Sequence, residues 1–157
     1  SNTDALDLLM EAISEAGYIA GKDIHLALDV AATEFYDNGN YIWETKKITP
    51  AQLSEIYQGW CNKYPIISIE DGMDEDDWKG WSMLYEKVGD KVQIVGDDLL
   101  VTNTKRIERA IKEKACNSLL CKVNQIGSLT ESIAAIDITS AATFLGYDST
   151  QYAGIVI

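Results

Sequence analysis

The sequence has few of the residues on which several common kinds of site depend. It contains one histidine and three cysteines, an odd number with no Cys-x-x-Cys spacing. These counts argue against a histidine-based catalytic dyad, a disulfide framework and a zinc site, and they favour free thiols. Basic residues are also scarce, 13 against 25 acids, and the net charge of -12 argues against nucleic acids and anionic membranes as partners.

Long apolar runs are absent as well. No run approaches the roughly 20 residues that a membrane span needs. The N-terminal stretch, residues 1–14, is amphipathic and acidic, unlike a signal or transit peptide. The length of 157 residues, with 46% hydrophobic and 24% charged residues, fits one globular domain. Together with the free thiols, these features predict a cytoplasmic protein.

The apolar periodicity predicts that strands and helices alternate along the chain. Strands are predicted at 25–30, 65–70, 92–97, 117–123 and 152–157, and helices at 3–16, 50–63, 102–115 and 128–144, with a further helix beginning at Glu75 behind the cap Asp74. A hairpin with Asn38-Gly39 at its turn interrupts the alternation. This order predicts an α/β fold with about five parallel strands, either an open sheet or part of a (β/α)8 barrel.

Four of the predicted strands have a charged side chain at or next to their carboxyl end: Asp29, Glu70, Asp97 and Lys122. Because the carboxyl ends of parallel strands lie at one edge of the sheet, we expect these four side chains to converge. Three carboxylates in a partly dry cleft repel one another unless a cation binds, and Mg²⁺ prefers such oxygen ligands. A lysine beside that cation is expected to have a lowered pKa and to accept a proton.

Two other interpretations remain open at this point. The strand-end acids could only cap helices and pair with exposed lysines. A phosphoacceptor receiver domain also combines acids and a lysine on a parallel sheet, but its acid pair should follow the first strand.

Asp71 and Asp98 come directly after the proposed ligands Glu70 and Asp97. Alternation along a strand predicts that both point away from the ligands and support neighbours or cap helices.

Several long segments make the sequence similar to one known family. These segments are LALDVAATEFY at 26–36, YPIISIEDGMDEDDW at 64–78, QIVGDDLLVTN at 93–103 and CKVNQIGSLTESIAA at 121–135. In this order and at these intervals they resemble enolase, and the resemblance covers roughly residues 1 to 136. It implies the central part of the enolase C-terminal barrel domain, a partial TIM-type barrel.

The resemblance also implies an activity and roles for single residues. Enolases use Mg²⁺ to dehydrate 2-phosphoglycerate to phosphoenolpyruvate in glycolysis, and the complete family protein is a homodimer. The family pattern implies that Asp29, Glu70 and Asp97 ligate Mg²⁺, that Glu70 and Asp97 also lie against the substrate, and that Lys122 removes the C2 proton. Asn124, Gln125 and Ser128 could orient groups of the site.

The family's remaining parts bear on what the chain does alone. The N-terminal domain with its mobile loop and assisting carboxylate, and the last barrel strands, are expected to lie outside residues 1–157. The isolated chain is therefore expected to be inactive as an enolase. The alternative is a non-catalytic metal-binding or interaction fragment, or a degenerate enolase.

Overall fold

The computed structural model describes residues 1–142, and in this part of the chain strands and helices alternate as predicted. The helices are α1 (Asn2–Glu15), α2 (Pro50–Lys63), α3 (Trp78–Val88), α4 (Thr104–Glu113), α5 (Val123–Ile126) and α6 (Leu129–Ala141). The strands are β1 (Leu26–Asp29), β2 (Tyr36–Asp37), β3 (Asn40–Trp43), β4 (Lys46–Ile48), β5 (Ile66–Glu70), β6 (Gln93–Gly96) and β7 (Ser118–Leu119). The strand predicted at 152–157 and the end of the helix predicted at 128–144 lie outside the described residues.

Four strands form a parallel sheet in the order β1-β5-β6-β7. The register sets Asp29 opposite Glu70, and Glu70 opposite Val95. Backbone hydrogen bonds continue past the strand ends, from the Val30 amide to the Glu70 carbonyl (3.0 Å) and from the Asp71 amide to the Val95 carbonyl (3.1 Å). The carboxyl ends of the central strands are therefore held level with one another.

A buried apolar core lies between the parallel sheet and its helices. Its largest fully buried side chains include Leu53 and Tyr57 of α2, Ile69 of β5, Trp81 of α3 and Ile94 of β6. Helix α2 follows the prediction because Thr49 caps it through a reciprocal hydrogen-bond pair with Gln52 and Pro50 takes the first helical position. No helix in the described part of the chain is both long and apolar enough to cross a membrane.

The start of α3 differs from the prediction. The helix begins at Trp78 with Asp77 as its cap, and the Asp77 carboxylate accepts a hydrogen bond from the Gly80 amide at 3.0 Å. Asp74 instead closes a turn, because its carboxylate accepts the Asp76 amide at 3.1 Å and its carbonyl accepts the Asp77 amide at 3.0 Å. Short acidic side chains can support either structure, and here the turn displaces the helix start by three residues.

Strand β7 is shorter than the predicted 117–123. Pairing with β6 covers Ser118 and Leu119, and the Leu120 amide makes one further bond to the Gly96 carbonyl at 3.2 Å. Beyond that bond the chain turns into α5, which has Lys122 at its N-cap position. Lys122 therefore stands in the strand-to-helix turn and not within a strand.

The predicted hairpin is present, and it belongs to a three-stranded antiparallel sheet, β2-β3-β4. Asn38 and Gly39 both have positive φ (49° and 83°), as the tight hairpin turn requires. The buried Tyr41 of β3 donates its hydroxyl to Asp77 (2.8 Å) and accepts the Asp74 amide (2.9 Å). These two bonds join the small sheet to the turn that precedes α3.

Candidate active site

Carboxylates from two adjacent strand ends meet at the carboxyl edge of the parallel sheet. Oxygens of Glu70, Asp71 and Asp97 all lie within 4.8 Å of one another. Glu70 ends β5, while Asp71 and Asp97 directly follow β5 and β6. The sequence prediction that Glu70 and Asp97 converge agrees with this geometry. The closeness of three oxygen ligands also makes the cluster suitable for a hard divalent cation.

Strand alternation predicted that Asp71 points away from the proposed ligands. In the structure its side chain points toward them. Its backbone adopts the left-handed region (φ 43°), which turns the side chain back toward β6. The carboxylate is 6% exposed, and it accepts the backbone amides of Asp97 and Asp98, each at 3.0 Å. Asp71 thus positions the chain that follows β6, which agrees with the supporting role predicted for it.

Asp29 and Asp98 occupy the margins of the cluster. Asp29 ends β1 directly across from Glu70, and its side chain is exposed. It is not among the three residues whose oxygens come within 4.8 Å of one another. Asp98 is exposed, as expected for a residue that points away from Asp97.

Lys122 contacts the carboxylate cluster through Asp97. Its Nζ donates to one carboxylate oxygen of Asp97, and the side-chain amide of Gln125 donates to the other oxygen at 3.0 Å. Asp97 is 7% exposed, and these two hydrogen bonds give both of its oxygens a partner inside the protein. The positive charge that balances this buried carboxylate in the structure is therefore the Lys122 ammonium.

The electrostatics of the cluster reflect burial and crowding of like charges. Burial, together with the nearby charges of Asp29, Asp71 and Asp97, raises the pKa of Glu70 to about 7. Burial also raises the pKa of Asp71 to about 6, despite the two backbone amides that favour its charged form. The hydrogen bond to Asp97 raises the pKa of Lys122, whose charged neighbours here are carboxylates. The lowered pKa predicted from the sequence concerns a lysine beside a bound cation and stays a prediction.

Sequence reasoning missed Thr102, which is fully buried in the loop between β6 and α4. Its hydroxyl accepts the Lys122 backbone amide at 2.9 Å and donates to the Gln125 side-chain carbonyl at 3.2 Å. A threonine within a loop gives no sequence signal of such long-range contacts. Gln125 was predicted to be able to orient site groups, and its bond to Asp97 agrees with that prediction.

An apolar cavity of about 360 Å³ lies apart from the carboxylate cluster, between α1 and β1. Leu6, Leu9, Leu28 and Trp60 are among its lining residues. Asp29 also lines it, but none of the clustered carboxylates does. The polar candidate site is thus the carboxyl edge of the sheet and not this cavity.

The comparison with protein families agrees with this geometry. The family model described as "Enolase, C-terminal TIM barrel domain" matches residues 1–151, almost the whole chain. The fold is consistent with that match, because the described residues form an α/β structure whose four parallel strands correspond to an open part of a barrel. The chain therefore belongs to the enolase family, within its C-terminal TIM barrel domain.

Proposed function

We propose that this chain carries the metal carboxylates and the proton-accepting lysine of an Mg²⁺-dependent enolase, which dehydrates 2-phosphoglycerate to phosphoenolpyruvate in cytoplasmic glycolysis. The observation that carries the proposal is the convergence of Glu70, Asp97 and Lys122 from successive units of the parallel sheet. Each of the three is an acid or base at the edge where the sites of such folds are built.

The donor set fits a hard divalent cation. Glu70 and Asp97 offer carboxylate oxygens that lie close together, and Asp29 stands across from Glu70 on the next strand. Asp71 is a weaker candidate ligand, because its oxygens accept two backbone amides, whereas both donors to Asp97 are side chains that can change rotamer. The proposed ligands are therefore Asp29, Glu70 and Asp97. When bound there, Mg²⁺ would stabilise the negative charge that develops on the substrate carboxylate.

Lys122 is the proposed proton acceptor. Its Nζ reaches Asp97, so it stands beside the place where the carboxylates would hold the cation and, through the cation, the substrate. In the proposed reaction, the lysine amine takes the proton from C2 and hydroxide leaves from C3, which forms the double bond of phosphoenolpyruvate. Since Asp97 holds Lys122 as an ammonium in this structure, the base form requires that the Asp97 charge be balanced by another group.

The proposal treats residues 1–157 as a part of the barrel domain. The four parallel strands of the described residues are half of the eight that close a TIM barrel. Net dehydration by a homodimeric enzyme is thus proposed for the complete protein. The 157-residue chain alone is expected to bind the cation without turning over 2-phosphoglycerate.

Metal binding by the 157-residue chain is the first test. Mn²⁺, which reports binding through the loss of its free electron paramagnetic resonance signal, replaces Mg²⁺ as the probe. Glu70→Gln and Asp97→Asn should each weaken Mn²⁺ binding at least tenfold. Asp98→Asn is the matched control, because this carboxylate is adjacent in sequence but exposed. Equal losses in all three variants, or no saturable binding by the unsubstituted chain, would contradict the proposed metal site.

The lysine is tested by hydrogen exchange at C2 of 2-phosphoglycerate in D₂O, followed by proton NMR. This readout needs the base and the cation but not the departure of hydroxide. We expect measurable Mg²⁺-dependent exchange with the unsubstituted chain and at least a hundredfold slower exchange with Lys122→Ala. Exchange that persists in the alanine variant would remove Lys122 from the proposed role.

A further inference from the structure

Thr102 stands in an unusual stretch of backbone close to the candidate site. It and its neighbour Val101 both have positive φ, 54° and 41°. Two consecutive β-branched residues rarely adopt this left-handed region, and such conformations persist only where surrounding contacts enforce them. Thr102 is also fully buried, so its hydroxyl needs partners inside the protein.

Both hydroxyl partners belong to the candidate site. The hydroxyl accepts the Lys122 backbone amide (2.9 Å) and donates its single proton to the Gln125 side-chain carbonyl (3.2 Å). These partners lie 20 and 23 residues further along the chain. A buried threonine that served only local structure would bond a neighbouring carbonyl instead.

The hydroxyl bond also fixes which end of the Gln125 amide faces Asp97. With its carbonyl turned to Thr102, Gln125 presents its NH₂ group to one Asp97 oxygen at 3.0 Å. The other Asp97 oxygen accepts Lys122 Nζ. Thr102, Gln125, Asp97 and Lys122 therefore form a closed four-residue ring of hydrogen bonds.

We propose that Thr102 is a positioning residue, which orients the Asp97 carboxylate through Gln125 and places Lys122 through its backbone amide. The hydrogen-bond ring stands on geometry alone, and its consequence for metal binding rests on the proposed function. A partner that orients a ligating carboxylate typically changes metal affinity by about 10- to 100-fold when it is removed. Valine has nearly the shape of threonine but lacks the hydroxyl, while serine keeps the hydroxyl.

NMR of the ¹⁵N-labelled 157-residue chain without metal tests the ring directly. In the unsubstituted chain the chemical shifts of the Gln125 side-chain NH₂ group should differ from those of exposed glutamines. The Lys122 backbone amide should exchange its hydrogen slowly with solvent. Thr102→Val should return the Gln125 signals to exposed values and accelerate exchange at Lys122 at least tenfold. Thr102→Ser should preserve both signatures, because it keeps the donor and the acceptor.

Gln125→Leu provides a second variant that does not depend on the strained loop. It should leave the Lys122 amide protected by Thr102, and should weaken Mn²⁺ binding about as much as Thr102→Val, by 10-fold or more. Thr102→Ser should stay within threefold of the unsubstituted chain. If the unsubstituted chain fails to bind Mn²⁺, the proposed function fails while the NMR comparison still decides the ring.

Two results would overturn the proposed role of Thr102. In the first, Thr102→Val leaves the Gln125 and Lys122 signals unchanged. In the second, Thr102→Ser loses both signatures to the same extent as valine, which would assign the effect to packing and not to the hydroxyl.

Discussion

Replacing Asn117 by alanine tests how the half of the sheet that carries Asp97 is held together. Asn117 directly precedes β7 and is 5% exposed. Its side-chain oxygen accepts the Ile94 amide at 2.6 Å, and its side-chain nitrogen donates to the carbonyls of Gly89 (3.0 Å) and Val92 (3.1 Å). One side chain thus joins the loop before β6, the strand β6 and the start of β7.

The cost of the substitution follows from the three backbone groups that lose their partner. Each unsatisfied buried polar group costs about 1–3 kcal/mol, and water that enters the vacated space should recover part of that sum. We therefore expect Asn117→Ala to lower the free energy of unfolding by about 3 to 5 kcal/mol. A typical domain has only about 5–15 kcal/mol in total, so this single change should be severe.

Asn117→Asp is the sharper variant because it has almost the same shape. It keeps the acceptor for the Ile94 amide but replaces the donating NH₂ group with an oxygen that faces the Gly89 and Val92 carbonyls. It also places a charge in the interior. We expect it to destabilise the protein at least as much as alanine does at neutral pH.

Urea unfolding followed by tryptophan fluorescence measures both variants. Asn124→Ala, at an exposed asparagine of α5, is the control and should stay within about 0.5 kcal/mol of the unsubstituted chain. The reasoning is refuted if Asn117→Ala costs less than about 1 kcal/mol, or if Asn117→Asp keeps the unsubstituted midpoint.

Three further predictions follow from the same structure. Asp71→Ala removes the acceptor of two backbone amides after β6 and should cost about 2 to 4 kcal/mol in urea unfolding; a loss below about 1 kcal/mol would count against its positioning role. Gly72→Ala would bring a Cβ within 2.9 Å of Leu84 and should cost about 1–3 kcal/mol. By contrast, Gly59→Ala in the interior of α2 meets nothing within 4 Å and should stabilise the chain by about 0.5–1 kcal/mol, so equal signs for the two glycines would contradict the packing argument. Mg²⁺ at about 100 times its dissociation constant should add about 2.7 kcal/mol to the unfolding free energy of the unsubstituted chain. Without metal, the Glu70→Gln variant should be more stable than the unsubstituted chain, because one repelling charge is gone. In thermal unfolding Mg²⁺ should add little to the stability of this variant. If Mg²⁺ stabilises it as much as the unsubstituted chain, Glu70 is not a ligand.

The sequence predicted the main elements because its local signals agree with one another. Thr49-Pro50 opens α2, Asn38-Gly39 turns the hairpin, and each parallel strand is a short apolar run. Parallel pairing then predicted that charges at the strand ends converge, and Glu70 and Asp97 do so. The predicted start of α3 was wrong. Four acids occur in a row there, and local propensity does not decide which of them caps the helix.

The site shows where sequence reasoning reached its limit. Strand alternation failed at Asp71 because this residue follows the end of β5 and its own backbone is left-handed, so its side chain does not continue the pattern of the strand. The direction in which the pKa of Lys122 shifts depends on which charge stands closest to Nζ, a distance that sequence spacing does not supply. Thr102 went unnoticed because its partners are 20 and 23 residues away.

The sequence by itself determined the residue types of the site, their order on successive strands and the parallel sheet that brings them together. These features follow from apolar periodicity and turn chemistry, which are local properties of the chain. Only the tertiary structure decided which oxygen meets which donor: the turn of Asp71 toward β6, the two partners of Asp97 and the ring through Thr102. Hydrogen bonding is directional and acts over about 3 Å, so those choices depend on backbone positions that long-range packing sets.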